Sequence, residues 1–197
     1  MRILSIDVGV KNLGLCELEA ADGGVTVGYW GVEQCARDTG NPMQDAIAGA
    51  VDVMTEMHDR TGGAGWDCVV IENQPCAKNP KMKAIQVALH TFLVMQCGPD
   101  VNVCLAGAVG KNNVADRILA SRGPQEGDAG DAGDTPARRY RRSKKRSVEA
   151  ARAWLGQHLP SAAARLDAGG GKKDDMSDAL LQGLFYLSAK AKILTVR

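Results

Sequence analysis

The sequence predicts an α/β domain, and three observations predict it. Five short apolar runs have strand length: 3–6, 14–18, 25–32, 66–72 and 101–105. Between and after them the apolar spacing lengthens to a helical period, over 41–60, 79–97, 147–159 and 172–191. Breaks bearing Gly or Pro separate the segments. With 197 residues, 45% of them hydrophobic, the chain is long enough for one domain, 1–197, with a sizeable core.

The opening stretch, MRILSIDVGVKNLGL, organises the rest. Ile3-Leu4-Ser5-Ile6 reads as a buried strand, which Asp7 interrupts. Residues 8–14 turn the chain back into a second strand, and Gly23-Gly24 is a hairpin signal before the third, so the first three strands are expected to be antiparallel. In 41–60, Met43, Ile47, Val51, Met54 and His58 fall on one helical face, with Asp45, Asp52, Glu56 and Asp59 mostly elsewhere; His58 reads as a residue at the edge of that face. Gly62 and Gly63 end that helix. The strand 66–72 closes on a second carboxylate, Glu72, and Pro75 keeps it from continuing as a central strand. The helix 79–97 has a stripe of Met82, Ile85, Leu89, Phe92 and Met95, which reads as core or subunit interface. Lys78, Lys81 and Lys83 make its start basic, either as a solvated end or as a phosphate contact near Glu72. The strand 101–105 leads into 107–113, where Lys111 is expected in a loop.

Residues 122–136, RGPQEGDAGDAGDTP, lack any large apolar side chain, so a flexible loop is expected over about 122–137. The charge then reverses. Arg138, Arg139, Arg141, Arg142, Lys144, Lys145 and Arg146, with Tyr140 among them, form a run suited to a polyanion, although such runs are also solvated faces. The formal net charge of +1 hides this asymmetry. Ser147 is expected to cap the helix 147–159, which Pro160 stops, and 169–171 form a glycine hinge. Six scattered cysteines without a C-x-x-C pair argue against a zinc site and for a reducing compartment without disulfides. No apolar run approaches the length of a membrane span. The first strand begins at Arg2, leaving no room for a targeting peptide, which favours a virus-encoded or other non-mitochondrial protein acting inside a cell.

The chemistry lies in the carboxylates. A carboxylate at the end of a central strand is costly without a metal ion or a cation beside it. An isolated Asp-x-Gly turn reads equally well as solvated. Further along, Asp175 and Asp178 share a face of the last helix, whose other face carries Met176, Ala179, Leu180, Gly183, Leu184 and Leu187. Acidic residues in a first turn also serve the helix dipole. If that helix packs on the sheet, Asp7, Glu72, Asp175 and Asp178 can meet. Gathered carboxylates repel unless cations lie between them, and an oxygen-only donor set suits Mg²⁺, with Mn²⁺ able to substitute. Two such ions per site can activate water and stabilise a leaving oxygen.

Three motifs in this order carry a resemblance. Ile6-Asp7-Val8-Gly9-Val10-Lys11-Asn12, Ile71-Glu72-Asn73-Gln74-Pro75 and Lys172-Lys173-Asp174-Asp175-Met176-Ser177-Asp178-Ala179-Leu180 resemble the catalytic motifs of RuvC-type Holliday junction resolvases, above all the branch of poxvirus and fungal mitochondrial resolvases. The closing motif is the most specific, and the basic run before a helix has a counterpart there. The resemblance implies an RNase H-like fold: a mixed five-stranded sheet, three antiparallel strands then parallel ones, flanked by helices. It implies a homodimer that nicks four-way junctions symmetrically, leaving 5′-phosphate and 3′-hydroxyl ends. It makes Asp7, Glu72, Asp175 and Asp178 catalytic metal ligands; the spacing to Asp178 favours Asp175 over Asp174. Lys11, Lys78, Lys81, Lys111, Arg138, Arg139, Tyr140, Arg141, Arg142, Lys144, Lys145 and Arg146 become the DNA contacts, with Lys111 and Lys145 the candidates for a catalytic lysine. The acidic segment 125–134 departs from the family pattern.

Rival readings are an RNase H-like or YqgF-like nuclease of other specificity and a junction-binding protein that does not cut. The closing motif and the basic run weigh against the first; the second predicts no activity with any divalent ion. An actin-like ATPase needs two domains and a second phosphate-binding glycine loop, which the chain lacks.

Overall fold

The computed structural model describes residues 1–21, 24–35, 37–61, 65–77, 79–122, 135–168 and 170–192. Five strands form one mixed sheet in the order β3-β2-β1-β4-β5: β1 (Arg2–Val8), β2 (Asn12–Ala21), β3 (Gly24–Gln34), β4 (Cys68–Glu72) and β5 (Asn102–Ala106). β1, β2 and β3 are antiparallel, while β4 and β5 run parallel to β1. The expected fold class is therefore observed, with β1, β2 and β3 longer than the apolar runs alone suggest and β4 shorter; β1 runs through Asp7 to Val8.

The pleat explains the layering. Successive side chains of a strand point to opposite faces. Leu4, Ile6 and Val8 of β1 and Val69 and Ile71 of β4 pack with α1 (Pro42–Arg60) and α2 (Pro80–Cys97). Ile3, Cys68 and Val70 face the other way, into a core shared with α3 (Ala108–Ala120), α4 (Pro136–His158), α5 (Pro160–Ala168) and α6 (Lys173–Phe185). Asp7 and Glu72 have the parity of Ile3 and Cys68, so both lie on the α6 side. Ile6 pairs with Ile71 across the parallel β1–β4 ladder, which sets Asp7 and Glu72 next to each other at its C-terminal end.

Several sequence expectations are corrected. The basic run does not precede a helix. It is the first half of α4, capped by the Thr135 side chain, which accepts from the Arg138 N–H. No Gly or Pro interrupts 137–155, and Arg, Lys and Ala are strong helix formers, so the helix runs through Ser147, which is buried mid-helix and caps nothing. Of the loop expected over 122–137, residues 123–134 lie outside the described residues, and 135–137 belong to the start of α4. Pro160 does more than stop α4: it opens α5 at a first-turn position, where its missing N–H is harmless. In α1 the buried face is Ala46, Gly49, Ala50, Met54 and Met57, and Asp45 is buried with it, accepting the Thr39 N–H. In α2 the buried face is Ile85, Gln86, Leu89 and Leu93, and Met95 is 79% exposed. The α-helix α6 ends at Phe185 and passes into a π-helical turn, Tyr186–Lys190. Gly62, Gly63, Gly23 and residue 169 lie outside the described residues. All six cysteines are free thiols, and among the described residues no helix is long and apolar enough to cross a membrane.

Candidate active site

The site is built where α6 meets the ends of β1 and β4. A Cβ at Gly14 would stand 2.5 Å from the Asp175 carbonyl oxygen and 3.3 Å from the Asp7 Cβ. Only a residue without a side chain lets the first turn of α6 lie this close to β2, and that approach brings Asp175 beside Asp7. Two contacts fix the helix: Trp30 Nε1 donates to the Met176 carbonyl at 2.9 Å, and the buried Gln182 amide donates to Ser5 Oγ and to the Ile6 and Val70 carbonyls, each at 3.1 Å. Gln182 thus ties α6 to both strands that carry a carboxylate. Buried amides that make several such bonds are costly to replace, since each orphaned partner would remain desolvated.

Asp7, Glu72, Asp175 and Asp178 all line one cavity of about 560 Å³. At its floor stands Lys111, with Nζ 3.2 Å from Asp7 Oδ1, 2.9 Å from Glu72 Oε1 and 2.7 Å from Asp178 Oδ2. Lys111 is not a loop residue, as the sequence suggested. It lies in the first turn of α3 and is 8% exposed. Burial alone would favour its neutral amine; Asp7, Asp178 and Glu72 outweigh that and hold it charged, above the usual lysine range. Burial pushes Asp7 well above the usual carboxylate range, with Lys111 opposing and the Glu72 and Asp178 charges adding to the rise. Glu72 is also held by Gln74, whose Nε2 donates at 2.6 Å, and the Gln74 N–H donates to Gln86 Oε1 at 2.9 Å.

Asp175 is half-buried, 3.7 Å from Lys172 Nζ, and raised by burial and by the Asp174 charge. Asp174 points elsewhere. It pairs with Lys144, which outweighs the effect of burial and holds it below the usual carboxylate range. Among the described residues, Asp178 Oδ1 is buried without a hydrogen-bond partner. An orphaned carboxylate oxygen beside further carboxylates fits a hard cation such as Mg²⁺ in its donor chemistry. As the side chains stand, no three acidic, His or Cys groups among the described residues are arranged to hold a metal ion, and the ammonium of Lys111 takes the centre of three of them.

The opposite wall is α4. Tyr140, Ser143, Lys144 and Ser147, spaced as one helical face, line the cavity, and Lys144 Nζ lies 5.0 Å from the Tyr140 ring centroid. Arg139, Arg142 and Arg146 turn instead toward α3, around a second groove of about 400 Å³; Arg146 pairs there with Asp116 at 2.8 Å. Arg138 and Arg141 are exposed. Lys145 points away, 79% exposed by its side chain and 3.5 Å from Glu149, so it stands apart from the carboxylates. Lys11 is exposed at the cavity rim, and Lys81 is exposed in the first turn of α2 outside that lining. Lys78 lies outside the described residues. Sequence reasoning missed Gln74 and gave Lys172 no role; the Lys172–Asp175 spacing of three was the legible signal for the latter.

No family model and no curated protein sequence matches the chain. Solved structures do. The yeast mitochondrial Holliday junction resolvase Ydc2 matches with a TM-score of 0.65 at 15% identity, over 98% of this chain and 81% of that one. Fowlpox virus resolvase in complex with its substrate Holliday junction DNA matches with a TM-score of 0.57 at 17% identity, over 96% and 98% of the two chains. Thermus thermophilus RuvC with a Holliday junction substrate matches with a TM-score of 0.57 at 15% identity, over 96% of each. At these identities the likeness concerns the fold: the chain shares the expected RNase H-like fold with these Holliday junction resolvases.

Proposed function

We propose that this chain is a structure-selective endonuclease that resolves four-way DNA junctions by metal-dependent phosphodiester hydrolysis, working as a homodimer. The observation that carries the reading is the convergence of Asp7, Glu72, Asp175 and Asp178 on one cavity whose far wall is a basic helix, in a fold shared with junction resolvases. Asp7, Glu72, Asp175 and Asp178 would hold Mg²⁺, for which Mn²⁺ substitutes. The bound ion supplies water activation and charge stabilisation at phosphorus. Lys11, Lys144 and Tyr140, at the cavity, position the scissile strand, and Arg138, Arg139, Arg141 and Arg142 bind flanking phosphates. Such contacts provide affinity without base specificity.

A homodimer puts one such site on each of two opposing strands. The outer face of α2 supports it: Val87, Val94 and Met95 are exposed there, and no Asp, Glu, Lys or Arg follows Lys83 in the helix. Depletion of charge is the compositional mark of an interface core. The six free thiols suit a reducing cell interior.

The test is cleavage of a synthetic four-way junction by wild type and Asp175→Asn, with Mg²⁺ or with EDTA. Paired symmetric nicks that need the metal and vanish in the variant, with junction binding retained, are expected. Binding without cleavage in Mg²⁺ and Mn²⁺ overturns the enzyme reading, and equal cleavage of linear duplex or RNA–DNA hybrid overturns the junction selectivity.

A further inference from the structure

The two halves of α4 are held by different forces. The second half is packed: Ser147, Ala150, Ala151, Ala153, Trp154 and Leu155 are buried. The first half, 136–146, has no buried residue; Lys144 and Arg146 are partly covered and the rest are exposed. Propensity favours helix there, since Arg, Lys and Ala are good helix formers. Charge opposes it. Seven of the nine residues 138–146 are basic, and none from 136 to 146 is acidic. Arg138–Arg142, Arg141–Lys145 and Arg142–Arg146 are like-charge neighbours one turn apart, and pairs at a spacing of three add to them. Arg138 and Arg139 stand in the first turn, which holds no acidic residue, and so oppose the helix dipole. The helix therefore spreads from its packed half into a segment that no core packing sustains. Lys144–Asp174 and Arg146–Asp116 tie the last turn of this half to α6 and α3. At its far end the Thr135 side chain caps it, accepting the Arg138 N–H at 3.3 Å.

We propose that the basic half of α4 is an arm whose helix is completed by the DNA phosphates it binds: without DNA it is wound and frayed in comparable measure, and on DNA it is wound. The inference rests on the DNA-binding part of the proposed function and deepens it. Phosphates along the arm remove the repulsion that opposes winding, and winding in turn lines up the basic side chains for the backbone. The packed half supplies the nucleus, so each added turn needs no new nucleation. Helix formation and phosphate binding are then one equilibrium. A change that favours the helix raises affinity without adding a contact, and a change that disfavours it lowers affinity without removing one. Thr135 is the residue that separates the two effects. It is exposed and carries no charge, and its hydroxyl serves the helix start. In a helix already complete before DNA arrives, the cap would stabilise the free and bound protein equally and leave affinity untouched.

The test uses the full-length protein and a synthetic four-way junction in EDTA, which withholds divalent ions. Amide hydrogen exchange in the free protein is expected to run faster in 139–146 than in 150–155, and to slow in 139–146 when the junction is added. Thr135→Ala is expected to speed exchange in 139–146 of the free protein and to weaken junction binding about two- to fivefold, the full worth of a cap being the upper bound. The slope of log affinity against log salt is expected to stay as in wild type, since no cation is lost. Thr135→Ser, which keeps a capping hydroxyl, is expected to behave as wild type. Equal protection of the two halves in the free protein overturns the proposal, and so does wild-type affinity in Thr135→Ala, or a Thr135→Ser that binds as weakly as Thr135→Ala. Absence of all junction binding overturns the proposed function and this inference with it, whereas junction binding with any of those three results overturns the inference alone.

Discussion

Two lysines flank the same cavity and could hardly differ more in what surrounds them. Lys111 is caged by three carboxylates on three different elements, with 9% of its side chain exposed. Lys144 pairs with one carboxylate, Asp174, leans on one ring, that of Tyr140, and keeps 40% of its side chain in water. Both are held charged above the usual lysine range, in each case against the effect of burial. The difference is in what removal leaves behind. Without Lys144, whose place is open to solvent, water can reach Asp174. Without Lys111, three desolvated carboxylates face each other. Depth, not the presence of an ion pair, decides which lysine the fold depends on.

The largest expected effect is on chemistry. Asp178→Asn removes the charge that pairs with Lys111 and one of the two carboxylate oxygens, and junction cleavage in Mg²⁺ is expected to drop by more than about a hundredfold, beyond what loss of a supporting partner alone does. Single-turnover rates on a synthetic junction check it. The next effect separates the two lysines by stability in EDTA. Lys111→Ala is expected to lower unfolding free energy by about 3–5 kcal/mol, as for breaking a buried pair, and Lys144→Ala by less than about 1 kcal/mol, as for an exposed one. Urea unfolding of both variants decides this, and equal losses would erase the contrast.

A third prediction concerns the outward side of α4. Arg138→Ala with Arg141→Ala is expected to weaken junction binding and to reduce the slope of log affinity against log salt by about 0.9 for each phosphate that is no longer neutralised. Lys111→Ala is expected to leave that slope unchanged, since a caged ammonium offers no free charge to phosphate. Binding isotherms at several salt concentrations measure both. The smallest effect is a pH dependence. The folded pKa of Asp174 lies below its unfolded value, so the Lys144–Asp174 pair adds stability that is present above about pH 4 and lost as pH falls through the lowered folded value. Asp174→Asn is expected to flatten that part of the acid limb of the stability curve, as thermal melts across about pH 2–5 would show.

Much of the site was legible because its positions follow local rules. The period of two in a strand puts Asp7 in phase with Ile3 and Glu72 in phase with Cys68 and Val70. Spacing by three puts Asp175 and Asp178 together on α6. Less legible were segments whose conformation is set by capping and context. The glycine- and acid-rich stretch made 135–137 look like the end of a loop and 138–146 a basic run ahead of a helix, yet Thr135, Pro136 and a run of good helix formers make α4 start there. Lys111 looked like a loop residue because Gly107 and Gly110 surround it, whereas Gly110 marks a close helix contact with Phe185. Met95 fitted a helical stripe, but the face of α2 that meets the sheet is turned by one position, toward Leu93.

By itself the sequence determined the α/β class, the antiparallel opening of the sheet, the four carboxylates and the abrupt change to a basic segment. These depend on periodicity and composition, which act over a few residues. Only the tertiary structure decided that Gln182 ties α6 to both strands that carry a carboxylate, that Gly14 lets Asp175 approach Asp7, that Asp174 turns to Lys144 and that Lys111 enters the carboxylate cluster. Each of those depends on the distance between elements far apart in the chain, and that distance is set by which side chains, or which missing side chains, lie between them.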